Sequence, residues 1–176
     1  MTQHDAQQDL AYIREVMEQT RRYTAAIMRH TEPLQEKLFQ EFKTRIKQTD
    51  VSVPFRRDGF YYYGRTEEGK NYGISCRKKG SLEAPEEVIL DVNQVCAEHK
   101  FCSDAGQNVS PDSNLLAYGI DTVGRRFYTL RVKDLRTGKL PGDRIPDVTA
   151  NVAWAKDGKT LFYTKQDPET LRAYRI

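Results

Sequence analysis

Several stretches of the sequence bring together residue types that could do chemistry. In Gly73-Ile74-Ser75-Cys76-Arg77 a serine follows a glycine at the spacing of a hydrolase nucleophile. A nucleophile elbow needs Gly-x-Ser-x-Gly on a strand-to-helix turn, so that the hydroxyl stands clear of the sheet. Here Arg77 replaces the second glycine, and the neighbours read as strand. His4, His30 and His99 have no recognisable nucleophile or acid beside them, so no triad can be assembled. Gly64-Arg65-Thr66-Glu67-Glu68-Gly69-Lys70-Asn71 is one residue short of a phosphate-binding loop. That motif needs Ser or Thr after the lysine for magnesium and a helix behind it. Asn71 stands there instead, a strand follows, and Glu67 and Glu68 would repel phosphate. A hairpin turn is the better account.

Cys96-Ala97-Glu98-His99-Lys100-Phe101-Cys102 offers three metal-ligand side chains of sulfur or imidazole type. Structural zinc takes four, normally from two such clusters. The remaining cysteine is Cys76, and small buried thiols fit these residues better. Arg77-Lys78-Lys79, Arg125-Arg126, Arg131, Lys133 and Arg136, with tyrosines interleaved, resemble the basic lining of some single-strand binders. Acidic residues are nearly as numerous, 25 against 28 basic, so solvated strand faces and salt links account for them. Asp112 and Asp157 occupy equivalent places in a repeat and read as turn residues, not as a catalytic carboxylate pair. The sequence therefore nominates no catalytic, cofactor-binding or metal-binding residue, and it calls for no cofactor.

Two kinds of element surround these residues. From about Asp5 to Lys47 the pattern is helical, with a capping-box-like Asp5 and Gln8. Leu10, Ile13, Met17, Thr24, Ile27 and Met28 fall on one helical face. Thr31 can cap a second helix with Pro33 in its first turn, where a missing N–H costs nothing. That helix places Leu34, Leu38, Phe39, Phe42 and Ile46 inward. A helical hairpin is expected, its stripe covered either by the β part or by another domain or chain. Gln48-Thr49-Asp50 ends the region, and Val51-Ser52-Val53-Pro54 is extended, since proline pushes its predecessor out of the helical basin.

From Phe55 onward strands take over. Phe60–Arg65 and Tyr72–Arg77 form a hairpin, Glu87–Asp91 a third strand, and residues 93–100 a short helix or loop. Leu115–Ile120 pairs with Phe127–Asp134, and Asn151–Ala155, Thr160–Thr164 and Leu171–Ile176 follow the same scheme. Asp112 and Asp157, Leu116 and Leu161, and Tyr118 and Tyr163 are each 45 residues apart. A fixed period of that size marks a sheet-based repeat array, most commonly propeller blades. Asp58-Gly59, Asp112-Ser113 and Asp157-Gly158 head the units, because tight turns need backbone angles that other residues resist. In the second unit Ser113 replaces glycine, and Asn114 could take the positive-φ position.

The chain of 176 residues is long enough for a sizeable core. It has no apolar run of membrane-spanning length, and residues 1–10 carry no apolar signal region. Three cysteines, an odd number, argue against a disulfide framework and suit the cytoplasm. A net charge of +3 does not suggest nucleic acid.

At this point ordered blocks become familiar. Leu38-Phe39-Gln40-Glu41-Phe42-Lys43-Thr44-Arg45-Ile46-Lys47-Gln48-Thr49-Asp50, Val53-Pro54 and Tyr61-Tyr62-Tyr63-Gly64-Arg65-Thr66-Glu67-Glu68-Gly69-Lys70 resemble the N-terminal part of the oligopeptidase B group, in the prolyl oligopeptidase family of serine peptidases. So do Cys76-Arg77-Lys78-Lys79-Gly80, Val109-Ser110-Pro111-Asp112, Leu115-Leu116-Ala117-Tyr118 and residues 128–138. The resemblance runs from about Leu10 to Ile176. It implies a helical segment, a seven-bladed β-propeller that restricts access to oligopeptides, and a C-terminal α/β-hydrolase domain on which the helices pack. It also implies cleavage after Arg and Lys. The triad and the acidic specificity residues of the family lie in its C-terminal domain, so none maps onto a position here. The chain departs from the family before Leu10, where the usual Asp-Pro-Tyr and Trp-Leu-Arg-Asp segments are missing.

The expectation is thus a mainly β chain with an α-helical N-terminus: a helical hairpin over residues 1–50, then about two and a half four-stranded blades of an incomplete seven-bladed β-propeller over residues 51–176, with the hydrolase domain absent. It would be the gating part of a serine endopeptidase and inactive alone. The alternative is a non-catalytic β-repeat module that holds a protein partner. An oligopeptide would be substrate only in a complete family member. The open blade edge invites self-association, and neither nucleic acid nor membrane is an expected partner.

Overall fold

The computed structural model describes residues 3–142 and 144–176, with side chains from Gln7 onward. It divides into two units, Met1–Lys47 and Gln48–Ile176. The first holds α1 (Gln3–Met28) and α2 (Glu32–Arg45), joined by a 3-10 turn at Arg29–Thr31. Side-chain pairs four residues apart support both helices, among them Glu18 with Arg22 at 3.1 Å and Glu36 with Gln40 at 2.8 Å. Each such pair is worth about 0.2–0.5 kcal/mol. Asp5 lies inside α1 and not at its cap, and its side chain is outside the described ones, as is that of His4.

The expected hairpin does not form. Met28 (φ −84, ψ −8) and Thr31 (φ −89, ψ −12) keep right-handed helical backbone, so the chain bends without reversing. Thr31 stands at the N-cap position of α2 but caps no N–H; its hydroxyl donates back to the Met28 carbonyl at 2.6 Å. Residues expected inward, such as Leu10, Met17, Leu38 and Phe42, are all exposed. The reason is geometric: without a reversal neither helix supplies the other with a surface. No described helix is long and apolar enough to cross a membrane.

The second unit is built from two antiparallel sheets. The first has the order β1-β2-β3-β4, from β1 (Phe55–Arg57), β2 (Phe60–Arg65), β3 (Ile74–Lys79) and β4 (Glu86–Asp91). Asp58 (φ 48) and Gly59 (φ 80) make the two-residue turn between β1 and β2, which needs positive φ at both positions. The one-turn helix α3 (Val92–Val95) follows, its first N–H groups capped by Asp91, which accepts from Asn93 N at 3.0 Å. The second sheet runs in sequence order from β5 (Ser103–Val109) and β6 (Leu115–Asp121) through β7 (Tyr128–Asp134), β8 (Arg144–Trp154) and β9 (Leu161–Gln166) to β10 (Ala173–Arg175).

Strand β8 serves twice. Its first half pairs with β7 (Leu130 with Ile145) and its second half with β9 (Trp154 with Leu161). Both registers shift near Asp147, whose φ is 56. The six-stranded sheet is therefore a four-strand pattern, β5 to β8, and a three-strand one, β8 to β10, that share one bent strand.

The core sits around β6, which is buried on both faces. Leu116, Tyr118 and Ile120 face the first sheet and pack with Tyr62, Ile89, Leu90 and Val92. Ala117 faces the other way, with Leu130 and Val148. A strand covered on both sides needs a nearly unbroken apolar run, and Leu115-Leu116-Ala117-Tyr118-Gly119-Ile120 is one. Burying a side chain such as Leu116 contributes about 1.5–3 kcal/mol.

Candidate functional site

One surface is a wall made by β5 and the second half of β8. The Asn108 side chain donates to the Val152 carbonyl at 3.1 Å, and the Trp154 indole N–H donates to the Asn108 carbonyl at 2.9 Å. The backbones approach so closely that a Cβ on Gly106 (φ +65) would stand 2.0 Å from the Ala150 carbonyl oxygen. Only glycine satisfies both the angle and the space. The wall borders an open hollow of about 440 Å3, whose lining includes Gln107, Asn108, Asn151, Phe162 and Tyr163. Amide groups there can exchange hydrogen bonds with an extended chain, and the two rings offer apolar faces. Among the described lining residues there is no carboxylate, imidazole or thiol. The arrangement can line or guide an extended chain.

Asp112 and Asp157 are turn carboxylates. Asp112 accepts from the Ser110 hydroxyl at 2.5 Å and from Asn114 Nδ2 at 2.8 Å; Asp157 accepts from Lys159 N at 2.8 Å and Thr160 N at 3.0 Å. These bonds hold both carboxyl groups below the usual carboxylate range. The positive φ falls on Ser113 (φ 60), the counterpart of Gly158 (φ 67), and not on Asn114. Ser113 is held there by its N–H to Ser110 O at 2.8 Å and by Arg77, which donates to its carbonyl at 2.7 Å.

Ser75 lies inside β3, opposite Gly64 and Leu90, so no elbow forms. His30 sits on the 3-10 turn against the Ile27 carbonyl at 2.8 Å, and His99 lies in an exposed loop. In the stretch 64–71, Arg65 pairs with Glu67 and with Glu86 (3.0 Å), and Lys70 N closes a turn on Glu67 O at 3.1 Å. The Tyr63 hydroxyl donates to Glu86 at 2.5 Å, which, with Arg65, holds the Glu86 carboxyl below its ordinary value although burial acts the other way. Burial, reinforced by Glu86, raises the Tyr63 phenol. These are the links of a packed hairpin.

Cys96 and Cys102 correct two expectations at once. They are joined in a disulfide with their Cα atoms 5.6 Å apart, so they are neither free thiols nor available metal ligands. An odd cysteine count excludes full pairing but not a single bridge: α3 and the start of β5 bring these two together and leave Cys76 over. Burial pushes the Cys76 thiol up to about 11. Four of the basic residues, Arg77, Lys78, Lys133 and Arg136, are engaged in salt or carbonyl links. Arg77 pairs with Glu87 at 2.8 Å and stacks on Phe60 at 4.1 Å, and Arg136 pairs with Asp134 at 2.7 Å.

Sequence reasoning missed β5, and with it Gly106 and Asn108. Ser-Asp-Ala-Gly-Gln-Asn-Val is too polar to read as a strand. The signal was the repeat itself: shifting Val152–Trp154 back by the 45-residue period lands on Gln107–Val109.

Comparison with known proteins places this geometry. The family model for the prolyl oligopeptidase N-terminal beta-propeller domain matches residues 4–175. Dipeptidyl aminopeptidase BI of Pseudoxanthomonas mexicana is 42% identical over 169 residues, covering 88% of this chain and 23% of that protein. Protease 2 of Moraxella lacunata is 33% identical over 158 residues, covering 86% of this chain and 23% of that protein. Among solved structures, oligopeptidase B from Leishmania major superposes with a TM-score of 0.80 at 30% identity, over 90% of this chain and 23% of that one. The chain thus spans about a quarter of the length of these relatives.

Proposed function

The chain belongs to the prolyl oligopeptidase family, as its N-terminal propeller domain, and from that membership we propose that it is the gating part of an oligopeptidase B-like serine peptidase. In this reading β8 is the strand at which one blade ends and the next begins, and residues 51–176 make up about two and a half of seven blades. The observation that carries it is the pairing of β5 with the second half of β8 through Asn108 and Trp154. Innermost strands of neighbouring blades must lie side by side in this way around a channel. The amide-and-ring lining of the hollow then suits an oligopeptide on its way to a catalytic domain.

The whole protein would cleave after Arg and Lys by acyl transfer through serine, histidine and aspartate, none of which this part supplies. The 42% identity to a dipeptidyl aminopeptidase favours a second reading, removal of dipeptides from a free N-terminus. One experiment separates these. The chain alone should leave benzoyl-Arg and Arg-Arg anilides intact; the complete protein that contains it should cleave them. Preference for the blocked substrate supports the first reading, and preference for the free amine the second. Hydrolysis by the chain alone, lost on mutating one of its serines, would overturn both.

The cytoplasm is the compartment this reading assumes. The Cys96–Cys102 bridge is the observation against it, since disulfides persist in oxidising compartments. Self-association through an exposed sheet edge belongs to the same proposal, and size-exclusion chromatography tests it: a concentration-independent monomer removes it.

A further inference from the structure

A second hollow, of about 550 Å3, opens between β4 and β7. Leu90, Val95 and Leu140 give it apolar walls, and Asp91, Arg131 and Lys133 give it charge. A smaller hollow of about 100 Å3 shares Arg131 and adds Arg144. Strand register sets a row across the sheet: Tyr118 on β6 stands opposite Arg131 on β7, which stands opposite Arg144 on β8. Lys133, two residues along β7, faces the same side. Like charges directly opposite one another destabilise a sheet.

Among the described lining residues the Asp91 charge acts on Lys133, and no carboxylate pairs with Arg131 or Arg144. Asp91 is the one carboxylate there, and its oxygens are engaged by Asn93 N (3.0 Å), Asn93 Nδ2 (3.1 Å) and Gln94 Nε2 (2.9 Å). The Lys133 ammonium donates to the Ile89 carbonyl at 2.9 Å, and burial lowers its pKa. The Arg131 Nε–H is buried and has no hydrogen-bond partner. A buried cationic donor left unpaired costs more than a hydrogen bond made on the surface returns. An oxyanion held by the two guanidiniums would offset the repulsion between them.

We propose that this hollow binds a small amphipathic oxyanion, a carboxylate or phosphate whose head lies between Arg131 and Arg144 beside Lys133 and whose apolar body meets Leu90, Val95 and Leu140. The site is independent of the peptidase reading. Calorimetric titration of the chain with N-acetylleucine, its uncharged amide and inorganic phosphate, at matched ionic strength, tests it. The acid or phosphate should bind saturably with a Kd of about 1 mM or tighter. The amide should bind at least about tenfold more weakly than the acid, and Arg131→Met and Arg144→Met should each weaken the anion by a similar factor. Tighter binding of the acid assigns a carboxylate ligand, and tighter binding of phosphate a phosphoryl one. Arg144 is exposed on β8, so its variant carries the test if Arg131→Met does not fold. No saturable binding of either anion, equal binding of acid and amide, or an unchanged Kd in Arg144→Met overturns the site.

Discussion

Replacing Gly106 by alanine tests the wall between β5 and β8 at its tightest point. The new Cβ would meet the Ala150 carbonyl oxygen at 2.0 Å, its carbon at 3.0 Å and its Cα at 3.6 Å. All three are backbone atoms, so no side chain can rotate away. Bringing the first distance to 3.0 Å moves β8 by about 1 Å. The bonds from Asn108 to Val152 (3.1 Å) and from Trp154 to Asn108 (2.9 Å) would stretch with it beyond hydrogen-bonding range. Each is worth about 1 kcal/mol. Alanine at positive φ adds about 1 kcal/mol, for a total near ~3 kcal/mol.

Gly138→Ala is the control, because it shares the positive φ (+71) but has nothing within 4 Å of the added Cβ. It should cost about 1 kcal/mol. For a chain of this length the Gly106 variant should melt about 6–12 °C lower than the parent. Urea unfolding followed by the fluorescence of Trp154, the one tryptophan, reads both the stability and the wall. If Gly106→Ala falls within about 0.5 kcal/mol of Gly138→Ala, with unchanged emission, the close approach is refuted.

Leu116→Ala, at a fully buried position of the central strand, should cost about 2–5 kcal/mol in urea unfolding; a loss below that range would mean β6 is not the centre of the core. Burial raises the Asp121 pKa, but the N–H groups of Val123 (2.8 Å), Gly124 (3.0 Å) and Arg126 (2.7 Å) together outweigh it, and the net shift is downward from 3.8. A depressed carboxylate adds stability above its unfolded value and loses it as the pH falls through its folded one. The advantage of the parent over Asp121→Asn should therefore shrink as acid unfolding is followed below pH 3.8, and an advantage independent of pH counts against the turn. Thiol titration should find one cysteine in the unreduced, denatured chain and three after reduction, with Cys76 unreactive while folded; three thiols without reduction would dismiss the bridge.

Local elements were legible where local chemistry decides them. Asp58-Gly59 and Asp157-Gly158 make turns because their backbone angles exclude most other residues. The unbroken apolar run in β6, the aromatic run in β2 and the alternation in β7 declared strands. The helix limits near Lys47 and the break before Pro33 were equally visible. The hairpin reading failed because a stripe of apolar residues says that a helix needs a surface, not which one. Ser113 took positive φ, against expectation, because Arg77, 36 residues away in the chain, holds its carbonyl.

The candidate site was almost illegible. β5 is polar, and it is a strand because β6 pairs with it, while β8 reaches it through the Asn108 and Trp154 side chains. Nothing in Gly106 or in Ala150 alone announces that their backbones meet. The sequence by itself determined the helical and β regions, the turns and the 45-residue period. Each of these depends on residues a few positions apart, or on the recurrence of such patterns. The tertiary structure alone decided that Cys96 bonds Cys102, that β8 is divided between two partners and that Arg131 stands against Arg144. Those outcomes depend on strand register and on bends at single residues, and a register is settled by all the pairings of a sheet together.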